Sequence, residues 1–82
     1  MVRGLDATSD FTVKLAHALR EVMSEHRVQQ EPLRAALGKS QAWVSEHTSG
    51  RRAVDSELIA AVAGLTGQSP TALLRDLVER IS

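Results

Sequence analysis

The strongest constraint on the fold is a short break around Gly38, between two brief helical patterns. The first pattern places three apolar residues on one helical face: Leu33, Ala36 and Leu37. Gly38 predicts a left-handed helix end, and Ser40 predicts a side-chain cap for the next helix. Residues 30–50 therefore predict two short helices joined by a sharp turn, with Val44 as the apolar anchor of the second. A helix so short needs a scaffold to hold it.

Length and composition exclude several classes of protein. With 82 residues and no cysteine, we expect one small core without disulfides, thiolate metal sites or a deep catalytic cavity. An aromatic content of 2% speaks against a surface that stacks single-stranded nucleic acid. No apolar run approaches the roughly 20 residues of a membrane span, so we expect a cytoplasmic protein. We expect a single domain over residues 10–82 after a frayed or disordered segment, residues 1–9.

Two further helices are predicted on either side of the central pair. The first covers about residues 11–25, is capped by Ser9 or Asp10, and carries an apolar stripe: Phe11, Leu15, Ala18, Leu19 and Val22. The fourth follows the cap Asp55 and ends at Gly67. Its apolar residues predict burial almost all round: Leu58, Ile59, Val62, Ala63 and Leu65.

A fifth helix is predicted over about residues 70–81, because Ser69 is a capping residue and Pro70 suits the first helical position. Its apolar face is wide for a terminal helix: Leu73, Leu74, Leu77, Val78 and Ile81. Either this face belongs to the core, or part of it meets a second copy of the chain; its five residues are the candidate dimer interface. With no strand-like alternation anywhere, the sequence predicts an all-α, compact five-helix bundle.

The charges are segregated along the chain, although the formal net charge is zero. Residues 26–53 hold five cationic and two anionic side chains, a net charge of plus three. The flanking stretches are acidic, at minus one for residues 1–25 and minus two for residues 54–82. The positive excess coincides with the two central helices, which indicates either an anion-binding face or an ordinary solvated surface.

Candidate catalytic and metal-binding groups are missing from the sequence. The histidines His17, His26 and His47 lack metal-ligand spacing. There is no Ser/His/Asp set, glycine-rich phosphate loop or carboxylate pair in a plausible pocket. We therefore expect a protein that is not an enzyme and that has no metal, no cofactor and no small-molecule substrate.

The central pair resembles the helix-turn-helix motif of the lambda-repressor and Cro superfamily, the XRE family. The matching residues, which Arg51 and Arg52 follow, are Gln30, Leu33, Leu37, Gly38, Ser40, Gln41, Val44, Ser45 and Gly50. The five-helix order extends the resemblance to residues 11–81. Three residues depart from the family pattern: Arg34, Lys39 and His47 stand where alanine, valine and isoleucine are usual.

The outer face of the second central helix is the candidate reading surface. With Val44 pointing inward, a helical wheel groups the candidate base-reading residues: Gln41, Ala42, Ser45, Glu46 and Ser49. The resemblance implies that this face enters the major groove of DNA. There Gln41 suits a bidentate contact with adenine, and Ala42 suits a thymine methyl group. Glu46 either accepts a hydrogen bond from the cytosine amino group, or is repelled by phosphate and only disfavours binding of the protein in a wrong position on the DNA.

Phosphate contacts are expected from residues around this face: Gln30, Lys39, Ser40, Trp43, Arg51 and Arg52. The resemblance implies that Gln30 bonds both Gln41 and a phosphate. For Trp43, the indole N–H either reaches a phosphate or belongs to a partly buried packing group.

We expect a sequence-specific regulator of transcription that binds double-stranded DNA. The resemblance implies a phage or bacterial Cro-like or repressor protein that covers a promoter, as a homodimer on a palindromic operator. The alternative is a protein-interaction module on the same fold, such as an antitoxin that binds a toxin or a polymerase-associated factor. Zero net charge, Glu46 and the three departures from the family pattern favour the alternative, whereas Gln30, Gln41 and the two arginines favour DNA.

Overall fold

A computed structural model describes residues 10–82 of the chain, and five helices account for the secondary structure of these residues. They are α1 (Asp10–Glu25), α2 (Gln30–Leu37), α3 (Gln41–Thr48), α4 (Ser56–Thr66) and α5 (Pro70–Ile81). The predicted all-α five-helix bundle is thus confirmed over this part of the chain. The expectations for residues 1–9, including a cap at Ser9, lie outside the described residues. None of the helices in the described part is long and apolar enough to cross a membrane.

The core takes at least one side chain from every helix. The largest buried side chains are Leu19 and Val22 of α1, Leu33 of α2, Val44 of α3, Leu58 and Val62 of α4, and Leu73 and Leu77 of α5. Helices α4 and α5 pack against each other and against α1, while α2 packs on α4. Within residues 10–82, α3 packs only against α1 and α2, so it lies at the edge of the bundle.

Two residues that the periodicity placed in the core are exposed instead. Phe11 retains 60% of its accessible surface, because it lies in the first turn of α1 and burial on this helix becomes complete only from Ala16 onward. Leu65 retains 40%, in the last turn of α4, where it borders a shallow cleft at the α1–α2 connection. On α2, Ala36 is exposed as well, whereas Leu33 is buried.

The predicted ends of α4 and α5 are confirmed. The Asp55 side chain accepts a hydrogen bond from the Glu57 N–H at 2.6 Å, and the Ser69 hydroxyl accepts one from the Ala72 N–H at 3.1 Å. Gly67 closes α4 in the left-handed conformation, with φ of 76°. These caps satisfy backbone groups that have no partner inside a helix.

An ion-pair network joins the end of α5 to α1. The Arg80 guanidinium lies 2.7 Å from Glu25 Oε1 and 3.3 Å from Glu21 Oε1, and its Nε lies 2.9 Å from Asp76 Oδ1. Hydrogen bonding from Arg80 lowers the pKa of Glu25 below its usual value. The stability that this carboxylate contributes is therefore present at neutral pH and is lost as the pH falls through its lowered pKa.

The end of α1 has an arginine where helices favour glycine. Arg27 has φ of 55°, and two bonds close the helix around it: Val28 N–H to Met23 O at 2.8 Å and Arg27 N–H to Ser24 O at 3.1 Å. This is the bonding pattern of a Schellman motif. A side chain in this conformation costs about 1 kcal/mol or more, which glycine avoids.

We predict that Arg27→Gly stabilises the protein by roughly 0.5–1 kcal/mol, since relief of the left-handed strain exceeds the added entropy of the unfolded chain. Gly67→Ala is the matched control, and its expected change in stability has the opposite sign. A Cβ at Gly67 would meet no atom within 4 Å, so its expected loss of roughly 1 kcal/mol reflects the backbone alone. Urea denaturation at constant m-value measures both changes. A lower midpoint for Arg27→Gly would contradict the prediction.

Candidate functional site

The turn between α2 and α3 has the geometry that the sequence predicts. Gly38 adopts φ of 67°, and its N–H donates to Arg34 O at 2.7 Å. The Ser40 hydroxyl accepts a hydrogen bond from the Trp43 N–H at 3.1 Å. The turn thus ends one helix and caps the next within three residues.

Two side chains on the inner face of α3 are buried. Val44 is fully buried, which confirms it as the anchor, and Thr48 is 7% exposed. The Thr48 hydroxyl donates to Val44 O at 2.8 Å, so its polar group is satisfied inside the helix. The helix ends at Thr48, and Ser49 is its C-cap.

The five predicted base-reading residues differ in exposure. Gln41, Ala42 and Ser49 are exposed, whereas Ser45 and Glu46 are half-buried. The Glu46 carboxylate lies 3.5 Å from Arg52 Nε, and Glu46 O accepts a hydrogen bond from the Arg52 N–H at 3.1 Å. The anionic residue of this face is therefore paired with a cation of the following loop.

The cations around α3 divide into paired and unpaired groups. Arg52 pairs with Glu46, whereas exposed Arg51 has no ion-pair partner within residues 10–82. Lys39 Nζ lies 5.5 Å from the centroid of the Trp43 ring, within range of a cation–π interaction. Lys39 and Arg51 are thus the cations beside this helix whose charge no carboxylate in the described part neutralises.

Two of the three departures from the family pattern form one cluster with Trp43. The Trp43 and His47 rings stack with centroids 3.8 Å apart and planes 17° apart. His47 Nδ1 lies 2.8 Å from Trp43 O, and since a carbonyl only accepts, Nδ1 carries the proton of this bond. Lys39 lies over the same Trp43 ring. Trp43 is half-buried and packs against the core, which supports the packing role of the two left open.

The α2 side of the site differs from the expectation at Gln30. No hydrogen bond joins the side chains of Gln30 and Gln41 in the structure of residues 10–82, so the contact implied by the resemblance is not formed. Arg34, the third departure, is half-buried and pairs with Glu31 at 3.2 Å. Its Nε is buried and has no hydrogen-bond partner among the described residues.

The sequence reasoning assigned no role to Arg20 of α1, which contacts this site. Arg20 Nη1 donates to Thr48 O, the last carbonyl of α3, at 3.1 Å. Gly50 follows in the left-handed conformation with φ of 88°, and a Cβ there would lie 3.5 Å from Val13 Cα of α1. Unpaired carbonyls at a helix end are a general signal for such a donor, but the sequence does not say which residue supplies it.

The outer face of α5 only partly matches the predicted dimer interface. Leu73 and Leu77 are fully buried in the chain's own core, so the assignment of these two to a dimer surface is wrong. Leu74 and Val78 are 44% and 50% exposed, and Ile81 is half-buried. A shallow groove of about 480 Å³ is lined by Thr71, Leu74, Arg75, Val78 and Glu79.

Comparison with known proteins adds no further assignment. No protein-family model, no curated protein and no solved structure matches this chain. Residues 10–82 contain no group of three or more His, Cys, Asp or Glu side chains that could hold a metal ion.

We predict that Ser40→Ala destabilises the protein by about 1 kcal/mol, because the Trp43 N–H at the start of α3 loses its acceptor. Ser40→Asp retains an acceptor at this position and is expected to preserve stability. Ser24→Ala, at an exposed position within α1, is the control and should change stability little. Thermal unfolding of the three variants measures these differences. Equal midpoints for Ser40→Ala and Ser24→Ala would contradict a capping role.

Proposed function

We propose that the chain is a sequence-specific regulator of transcription that binds double-stranded DNA, of the lambda-repressor and Cro type. The observation that carries this proposal is the placement of α3. Its inner side is anchored by Val44 and Thr48, while Gln41, Ala42 and Ser49 are exposed on a helix at the edge of the bundle. A helix held in this way has the form that major-groove reading requires.

The cations beside α3 support contacts with the DNA backbone. Lys39 precedes the helix and exposed Arg51 follows it, so a positive charge lies at each end of the proposed reading surface. Neither is neutralised by a carboxylate of residues 10–82. Phosphate contacts from such positions fix the protein on the duplex, and base contacts from α3 supply the sequence preference. Gln41 is the proposed reader of an adenine.

The proposed active form is a homodimer on a palindromic operator. A single module of this kind offers only about 600–1,000 Å² of interface with DNA. Leu74 and Val78 provide an exposed apolar strip on α5, next to Arg75 and Glu79. Neither charged residue has an ion-pair partner within residues 10–82. In an antiparallel pair of α5 helices, Arg75 of each copy would face Glu79 of the other, so the surface is self-complementary.

We further propose that the protein acts in the cytoplasm of a bacterium or a phage-infected host cell, by covering a promoter. The rival function is a protein-interaction module, such as an antitoxin. The observation in its favour is the Glu46–Arg52 pair, which leaves the middle of the reading face without net charge. The two functions differ in the dependence of DNA binding on salt, because only phosphate contacts release counterions.

We predict different effects for Gln41→Ala and Arg51→Ala. Gln41→Ala should lose roughly 1–3 kcal/mol of discrimination at one base pair and leave the salt dependence unchanged. Arg51→Ala should weaken binding to all sequences equally and reduce the slope of log affinity against log salt by about 1. Fluorescence anisotropy with duplexes that carry single base-pair changes measures both effects. The reverse pattern would show that the register of α3 is wrong, and a flat salt dependence of the unmutated protein would favour the interaction module.

We predict that Val78→Glu converts the dimer into a monomer, because it places a carboxylate in the apolar strip of α5. Val13→Glu is the matched control: Val13 is 45% exposed on α1 and Val78 is 50% exposed, so neither change empties the core. Light scattering should give twice the 8.9 kDa chain mass for the unmutated protein and for Val13→Glu, and a single chain mass for Val78→Glu. A monomeric unmutated protein, both free and on a palindromic duplex, would refute the dimer.

A further inference from the structure

The two ends of α3 are held by different means. At its start, the Gly38 turn connects it directly to α2, and the Ser40 cap orders its first turn. No short turn connects the C-terminal end of α3 to α1, the helix against which this end lies. The chain continues instead through a loop to α4, which begins at Ser56. The direction of α3 therefore depends on what holds its C-terminal end against α1.

The hydrogen-bond partners of the last carbonyl groups of α3 show which residues contact this end. Ser45 O accepts a hydrogen bond from the Ser49 N–H at 3.0 Å, and Glu46 O accepts one from the Arg52 N–H at 3.1 Å. Both donors belong to α3's own end and the following loop. The partner of Thr48 O comes instead from α1, as the Arg20 guanidinium at 3.1 Å.

Charge and packing both support a structural role for the contact between Arg20 and Thr48. A guanidinium at the C-terminal end of a helix interacts favourably with the negative end of the helix dipole. The hydrogen bond from Arg20 to Thr48 O is also partly buried. The backbone of Gly50 lies against Val13 and Ala16 on the same helix, α1. The bond and this close approach thus define one docking point between α1 and the end of α3.

The length of α3 converts a small shift at this point into a change of direction. Eight residues span roughly 12 Å at about 1.5 Å per residue, so a 1 Å displacement of the far end tilts the axis by roughly 5°. Gln41, beside the fixed turn, would hardly move. Ser49, at the far end, would move by nearly the whole displacement.

We propose that Arg20 is a positioning residue whose hydrogen bond to Thr48 O sets the direction of α3, so that Ser49 and its neighbour Glu46 reach their base pairs. This inference rests on the proposed DNA-binding function. Arg20 acts through α3 and not through a phosphate. Its removal therefore changes which base pairs are discriminated and leaves the number of neutralised phosphates the same.

The test compares Arg20→Met with Lys14→Met on a set of duplexes that each carry one changed base pair. Both variants remove one cation from exposed positions on α1, but Lys14 pairs with Asp10 on its own helix and does not contact α3. The base pairs that each end of α3 reads are assigned from Gln41→Ala and Ser49→Ala. Arg20→Met should lose roughly tenfold discrimination at the pair read by Ser49 and less than about twofold at the pair read by Gln41. Lys14→Met should retain the full profile.

Three results would overturn the proposal. The first is a base-pair preference of Arg20→Met that equals that of the unmutated protein, and the second is a loss of discrimination that is the same at every base pair. The third is a slope of log affinity against log salt that is reduced by about 1, which would identify Arg20 as a phosphate contact. Circular dichroism checks that Arg20→Met is folded at the assay temperature. If it is not, Arg20→Lys replaces it, because lysine keeps the charge on a shorter side chain without the planar fork, and the same uneven loss is expected.

Residual dipolar couplings of backbone amides separate this inference from the proposed function. In Arg20→Met they should report a changed angle between α3 and α1, with the angle between α1 and α5 preserved. An unchanged α3–α1 angle would refute the positioning role even if the unmutated protein binds DNA as proposed. If the unmutated protein shows no salt-dependent DNA binding, the proposed function fails, and the couplings alone decide whether Arg20 positions α3.

Discussion

Helix α3 has eight residues and would not be stable alone, so any use of its outer face depends on the contacts of its inner face. Val44 and Thr48 are buried in the bundle, and Trp43 packs against the core. The left-handed Gly38 and the Ser40 cap define where the helix starts, and Arg20 donates a hydrogen bond to its last carbonyl group, Thr48 O. Because α3 packs only on α1 and α2 in the described part, its outer side is free for a partner.

Electrostatic contacts have separate roles in two parts of the molecule. Away from α3, Arg80 pairs with three carboxylates and joins α5 to α1, so its charge contributes to the packing of these helices. Around α3, Lys39 lies over an aromatic ring, and Arg51 has no anionic partner within residues 10–82. A formal net charge of zero is therefore compatible with a local surface that attracts an anion. The Glu46–Arg52 pair limits the size of that surface.

Local signals predicted most of the fold, and contacts between helices explain what they missed. Glycine, proline and capping residues act on their immediate neighbours, so the starts of α3, α4 and α5 were predictable from sequence. Burial depends on where neighbouring helices end, which is why Phe11 and Leu65 were misplaced. Leu73 and Leu77 were assigned to a partner because periodicity cannot distinguish the core from an interface. Arg20 and the Trp43–His47 stack depend on the approach of α1 to α3 and on side-chain rotamers, which sequence spacing does not encode.

Selection of bound duplexes from a random DNA pool tests the central claim most directly. If α3 reads bases and two copies bind together, the selected duplexes should share a palindromic sequence with half-sites about 10 base pairs apart, one turn of the double helix. Register, symmetry and sequence preference would then come from a single experiment. A pool that remains random after repeated selection, with DNA affinity that does not change with salt, would contradict the account and leave α3 as a surface for another protein.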